Sequence, residues 1–148
     1  AKFSVEGDVL FTDYGISGNA VFSASSYLAG EKNTSVIIDL CPDLNENELS
    51  LFISNKIKNC SYLKVEDLLS GVINKKVACA VLKNVLNYNL EDGISSVKVS
   101  SVVNAVKNFT LKITGDTGFD NSQVTRGGVN VNEIDKNTMQ SNSELYNT

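Results

Sequence analysis

Two segments with strand character, Thr34 to Leu40 and Phe109 to Gly115, bracket a long stretch in which apolar residues recur at helical spacing. Thr34 to Leu40 is rich in β-branched residues and stops at Cys41-Pro42. Phe109 to Gly115 alternates apolar and polar residues, the pattern of a strand with one buried face. Between them, Asn45 followed by Glu48 has the form of a capping box, and Leu49, Phe52, Ile53 and Ile57 form a stripe behind it. Val65 to Leu69 reads as a short helical turn ended by Gly71. Val77, Val81 and Val85 mark a third helix that stops near Asn87-Tyr88-Asn89, and Val99, Val102, Val103 and Val106 mark a fourth, starting near Ser95 or Lys98. Four short helices bury one another more readily than they form a partner groove. Leu49, Phe52, Ile53, Val77, Val81, Leu82, Val102 and Val106 are therefore predicted to be inaccessible to solvent.

The flanks read differently. Phe3-Ser4-Val5 and Val9-Leu10-Phe11 are strand-like, with Glu6-Gly7-Asp8 as the break between them. Ser17 is placed to cap a helix carrying Ala20, Val21, Ala24, Tyr27 and Leu28, which Gly30 closes. Beyond Gly115 the chain is glycine-rich and polar, and its last ten residues hold too few apolar groups for a core. The β–α–β order puts the first and third zones in one sheet system, with the helices as an excursion from it. The predicted fold class is α+β: a β-rich, barrel-like subdomain from residues 1–42 and 109–134, a helical subdomain over 43–108, and a polar tail over 135–148.

Composition removes several function classes. The 148 residues include no histidine, which excludes Ser-His-Asp and Cys-His catalysis within the chain and histidine-based zinc sites. Cys41, Cys60 and Cys79 lack metal-ligand spacing and read as reduced thiols, so no metal is expected and a cytoplasmic setting is. A net charge of −4 with scattered Lys and Arg argues against nucleic acid as a partner. No apolar run is long enough to span a bilayer. The chain starts at Ala1 rather than Met, which reads as a piece cut from a longer protein.

Few residues stand out as chemistry. Gly127-Gly128 permits positive φ and close backbone approach, and Arg126 beside it could steady developing negative charge; the competing reading is a turn or bulge. Tyr14 could line a substrate pocket or donate a proton, against the reading of a half-buried structural tyrosine. Asp13, Asp39 and Asp43 could pass for a carboxylate cluster, but solvated turn roles are the default.

Four segments, in order, carry a family resemblance. Phe11-Thr12-Asp13-Tyr14-Gly15-Ile16-Ser17-Gly18-Asn19-Ala20 resembles the "F-T-H-Y-G-[IL]-S-G-P-A" segment of the aminoacetone-oxidase-like family of bacterial-type FAD-dependent NAD(P) oxidoreductases, which includes the bile-acid-inducible flavoproteins. Ile38-Asp39-Leu40-Cys41-Pro42-Asp43-Leu44 is similar to its "I-D-L-x-P-D-L" strand-turn. Gln123-Val124-Thr125-Arg126-Gly127-Gly128-Val129 looks like its "A-x-V-T-x-G-G-V", and Glu133 to Ser141 like its "E-[IV]-[DN]-P-K-T-M-E-S". The sequence departs from the family at Asp13 (His), Asn19 (Pro) and Asp135-Lys136-Asn137 (Asp-Pro-Lys).

The resemblance implies that this is the insert of a Rossmann-like FAD protein, made of a β-rich and a helical part. Its partners would be the parent's FAD-binding domain and a small-molecule substrate, and it would form one wall of the substrate or nicotinamide site. Thr125, Arg126, Gly127, Gly128 and Val129 become the cofactor-facing residues, and Tyr14 and Asp13 the catalytic candidates. FAD is expected in the longer protein only, because this sequence has no Gly-x-Gly-x-x-Gly to hold a pyrophosphate. The rival reading is a stand-alone, non-catalytic binding or interaction domain.

Overall fold

A computed structural model of the chain describes residues 3–28, 34–118, 122 and 127–142. It is a mixed α/β structure of short helices and two separate two-stranded antiparallel sheets. Among the described residues the strands do not close into a barrel. The chain divides into two compact units, Ala1–Lys32 with Thr114–Thr148, and Asn33–Ile113.

The unit Asn33–Ile113 holds the core. Strand β3 (Ser35–Ile38) pairs with β4 (Phe109–Lys112), joining the two bracketing segments across the helical excursion. Val36 faces Leu111 and Ile38 faces Phe109 on the half-buried side, while Ile37 is 64% exposed on the other. Helix α2 (Glu46–Asn59) begins with the predicted capping box: Asn45 Oδ1 accepts from the N–H groups of Asn47 and Glu48, and Glu48 Oε2 accepts from the Asn45 N–H. Helix α4 (Val99–Lys107) packs against α2, and its start is held by Tyr88, whose hydroxyl accepts from the Lys98 N–H at 3.0 Å.

The predicted helical core is largely present. Leu49, Ile53, Val81, Leu82, Val102 and Val106 are buried, whereas Phe52 and Val77 are half-buried. Leu68, Leu69 and Ile94 complete the core from the connecting segments. Each fully buried aliphatic side chain of this kind contributes roughly 1.5–3 kcal/mol. The third helix differs from its predicted form. Helix α3 (Lys75–Ala80) runs into a π-turn over Val81–Val85, whose wider winding takes Val85 off the α-helical stripe and leaves it 49% exposed. Asn87, at φ +57°, ends the helical run where the Asn-Tyr-Asn sequence predicted.

The two strands stay with the helices because both ends of the excursion are tied together. The Leu40 N–H donates to the Val106 carbonyl at 2.9 Å. The Lys107 ammonium, in the last turn of α4, reaches Asp39 Oδ2 at 2.5 Å and the carbonyls of Cys41 and Leu44 at 3.0 and 2.7 Å. Cys41 lies buried in this turn, and burial pushes its thiol above its ordinary pKa. No helix among the described residues is long and apolar enough to cross a membrane.

The other unit is organised around one tight turn. The hairpin lies later than predicted: Phe3 to Val9 is not strand, and β1 (Leu10–Thr12) pairs with β2 (Gly15–Ser17) around Asp13-Tyr14. Thr12 Oγ1 donates to the Gly15 carbonyl at 3.0 Å and closes the turn from the side chain. Helix α1 (Asn19–Leu28) follows, with Ser17 ending β2 rather than capping it. Asn19 Oδ1 instead accepts from the Asp8 N–H at 2.7 Å, and the Ala20 N–H donates to the Asp8 carbonyl. The Gly30 predicted to close this helix lies outside the described residues.

Gly18 makes this approach possible. Its φ is +108°, and a Cβ there would stand 2.4 Å from the Asp8 carbonyl oxygen. Gly18→Ala is expected to cost roughly 2 kcal/mol and to pull Asp8 off the start of α1. Accelerated hydrogen exchange at the amides of Asp8 and Ala20 is the readout; unchanged protection there would show that the contact carries no stability.

Candidate functional site

The sequence-predicted residues fall in two places within the first unit. Asp13 and Tyr14 form the tip of the β1–β2 hairpin, and Tyr14 is 76% exposed rather than half-buried. Gly127, Gly128 and Val129 lie outside any helix or strand on the C-terminal side, and Val129 is 70% exposed. Thr125 and Arg126 lie outside the described residues. Among the described residues, no hydrogen bond joins the hairpin tip to Gly127–Val129.

Gly127 and Gly128 have the backbone that their residue type anticipates. Their φ values are +136° and +140°, which side-chain-bearing residues rarely adopt. Chain neighbours apart, no atom of the described residues lies within 4 Å of where either Cβ would stand. The pair therefore presents bare backbone to open space, a surface that a flat group can approach to contact distance. No glycine loop of the kind that holds a pyrophosphate occurs anywhere in the sequence.

The residues after the glycines do not form the strand that their alternation suggests. Val131–Glu133 is a 3-10 turn, with Asn130 Oδ1 accepting from the Asn132 N–H at its start. Val131 is 79% exposed and Ile134 is half-buried, bridged to Ser141. Asp135 closes the next turn. The N–H groups of Thr138 and Asn137 donate to its carboxylate and hold its pKa below the usual carboxylate range. Where the resembling family carries Asp-Pro-Lys, this chain makes an aspartate-capped turn that needs no proline.

The three aspartates do not act as a set. Asp39 is paired with Lys107 in the helical unit, and among the described residues no group of three or more Cys, Asp or Glu is placed to hold a metal ion. A shallow depression of about 350 Å³ lies beside the π-turn, lined by Val85, Leu86, Asn104, Asn108 and Phe109 among others. It contains none of the predicted site residues. The interaction that sequence reasoning missed is that of Lys107, which is 66 positions from Cys41; a lysine in the last turn of a helix is too common to signal it.

This small mixed α/β unit, with its helical excursion between paired strands, has a family. Residues 1–124 match the HI0933-like protein barrel and H2TH domain, and the chain belongs to that HI0933-like family. It is 32% identical, over 97% of its length, to the ribosomal RNA dihydrouridine synthase of Haemophilus influenzae. It is 28% identical, over 91% of its length, to the 3-dehydro-bile acid delta(4,6)-reductase of Clostridium scindens. The chain spans about a third of the length of these curated relatives, 35% and 34% respectively.

Proposed function

We propose that this chain is the insert of a longer FAD-dependent oxidoreductase, where it forms one wall of the substrate or nicotinamide site. The observation that carries the reading is the family membership together with the short span: the chain corresponds to about a third of a reductase and of a dihydrouridine synthase. In the longer protein residues 1–42 and 109–134 would form the β-rich, barrel-like subdomain and residues 43–108 the helical one. One relative is named a delta(4,6)-reductase and the other a dihydrouridine synthase, and on that basis our reading takes a carbon–carbon double bond conjugated to a carbonyl as the substrate class.

Bound FAD, once reduced by a nicotinamide, would supply the hydride. The residues of this chain supply shape and a proton. Gly127 and Gly128 offer bare backbone against which the ring can lie, and Thr125, Arg126 and Val129, next to them in the sequence, are the other cofactor-facing residues we propose. The Tyr14 hydroxyl, at an exposed hairpin tip, is our candidate to protonate the enolate that hydride addition leaves, with Asp13 as its neighbour. A net charge of −4 favours a small-molecule substrate over RNA.

The test is flavin retention. Purified alone, the chain should be colourless and bind FAD weakly or not at all, while the full-length protein should copurify with it. A stoichiometric flavin absorbance on the isolated chain would sink the reading of an insert and favour an independent cofactor domain. A full-length protein that never holds flavin would favour the non-catalytic binding domain instead.

A further inference from the structure

We propose that Asp39 and Lys107 form a latch that, together with the Leu40–Val106 backbone bond, holds the strand pair β3–β4 to the helical core, so that opening the ion pair loosens the strands from it. This goes beyond the oxidoreductase reading and does not depend on it.

The geometry carries the proposal. An ammonium has three N–H donors, and Lys107 has three acceptors: Asp39 Oδ2, the Cys41 carbonyl and the Leu44 carbonyl. Its side chain is only 11% exposed. The second carboxylate oxygen of Asp39 accepts from the Cys41 N–H at 3.0 Å. The two side chains thus tie together the end of β3, the turn into α2 and the last turn of α4, where the chain leaves the strands and where it returns.

The elements on the two sides of the latch differ in how much they need it. The helical core closes through Leu49, Ile53, Leu68, Leu82, Ile94 and Val102, all fully buried. The strand pair has four paired positions, and a two-stranded sheet of that size is marginal by itself. The Asp39 side chain is 39% exposed, so the ion pair has one mostly covered and one solvent-accessible partner. Losing it frees the strands while the core stays intact.

Hydrogen exchange on the whole chain tests this. In Lys107→Met, the amides of Leu40 and Ile113 and those of the β3–β4 ladder should exchange at least tenfold faster. Amides in the middle of α2 and α4, such as Ile53 and Val103, should change less than threefold. Asp39→Asn, which keeps the shape and removes the charge, should shift the same set by a smaller factor and serves if Lys107→Met fails to fold. A uniform acceleration through all of residues 33–113 would mean that the pair is an ordinary stabilising contact. Unchanged exchange in the strands would overturn the latch outright.

Discussion

Val81→Asp should unfold the helical unit or bring it close to unfolding. Val81 is 1% exposed at the start of the π-turn, and a carboxylate there would be desolvated with no partner provided for it. The cost is about 3 kcal/mol or more. For a unit of this size that corresponds to a fall in Tm of more than about 12 °C, read by circular dichroism at 222 nm. Val81→Ala, which removes volume without adding charge, should cost clearly less. A Val81→Asp protein that melts with the wild type would mean that this turn opens to water at no cost, and the packing of α3 against the core would have to be redrawn.

Gly127→Val should act on function and spare the fold. At φ +136° a β-branched residue is strained, and its side chain would occupy the open space beside the backbone. In the isolated chain the stretch is exposed, so the strain can relax locally and the thermal transition should stay nearly where it was. In the full-length protein, flavin affinity or turnover should fall by more than tenfold, about 1.4 kcal/mol. Flavin titration and steady-state kinetics on the full-length pair decide it. Normal flavin content with normal kcat would reduce Gly127-Gly128 to a connecting turn and remove our site assignment.

What could be read in advance was what neighbouring residues encode. The Asn45–Glu48 capping box, the strands around Val36 and Leu111, and most of the helical core follow from spacing within one element. The family resemblance likewise rested on contiguous segments, and the match over residues 1–124 agrees with it. Local rules failed where distant residues decided the outcome. The turn at Asp13-Tyr14 displaced the one expected at Glu6-Gly7-Asp8 because Gly7 and Asp8 are held against the start of α1, with Asn19 taking the Asp8 N–H. Val85 left its stripe because the helix widened by one residue, a change that apolar spacing alone does not announce. The Asp39–Lys107 pair closes across most of the helical unit, and nothing local to either residue distinguishes it from a solvated charge.

The buried apolar residues are distributed very unevenly: of those described, only Ala20 lies outside Asn33–Ile113. Selection therefore meets two different kinds of position in one chain. In the interior of the helical unit substitutions are judged by volume and shape, so drift there should favour compensating pairs of aliphatic changes. In the other unit a side chain is judged chiefly by what it shows to its surroundings. Relatives that share this framework yet act on different molecules would then be expected to have diverged first in the outward-facing residues of the hairpin and of the stretch after Gly128, with the helical interior changing slowly beneath a fixed shape.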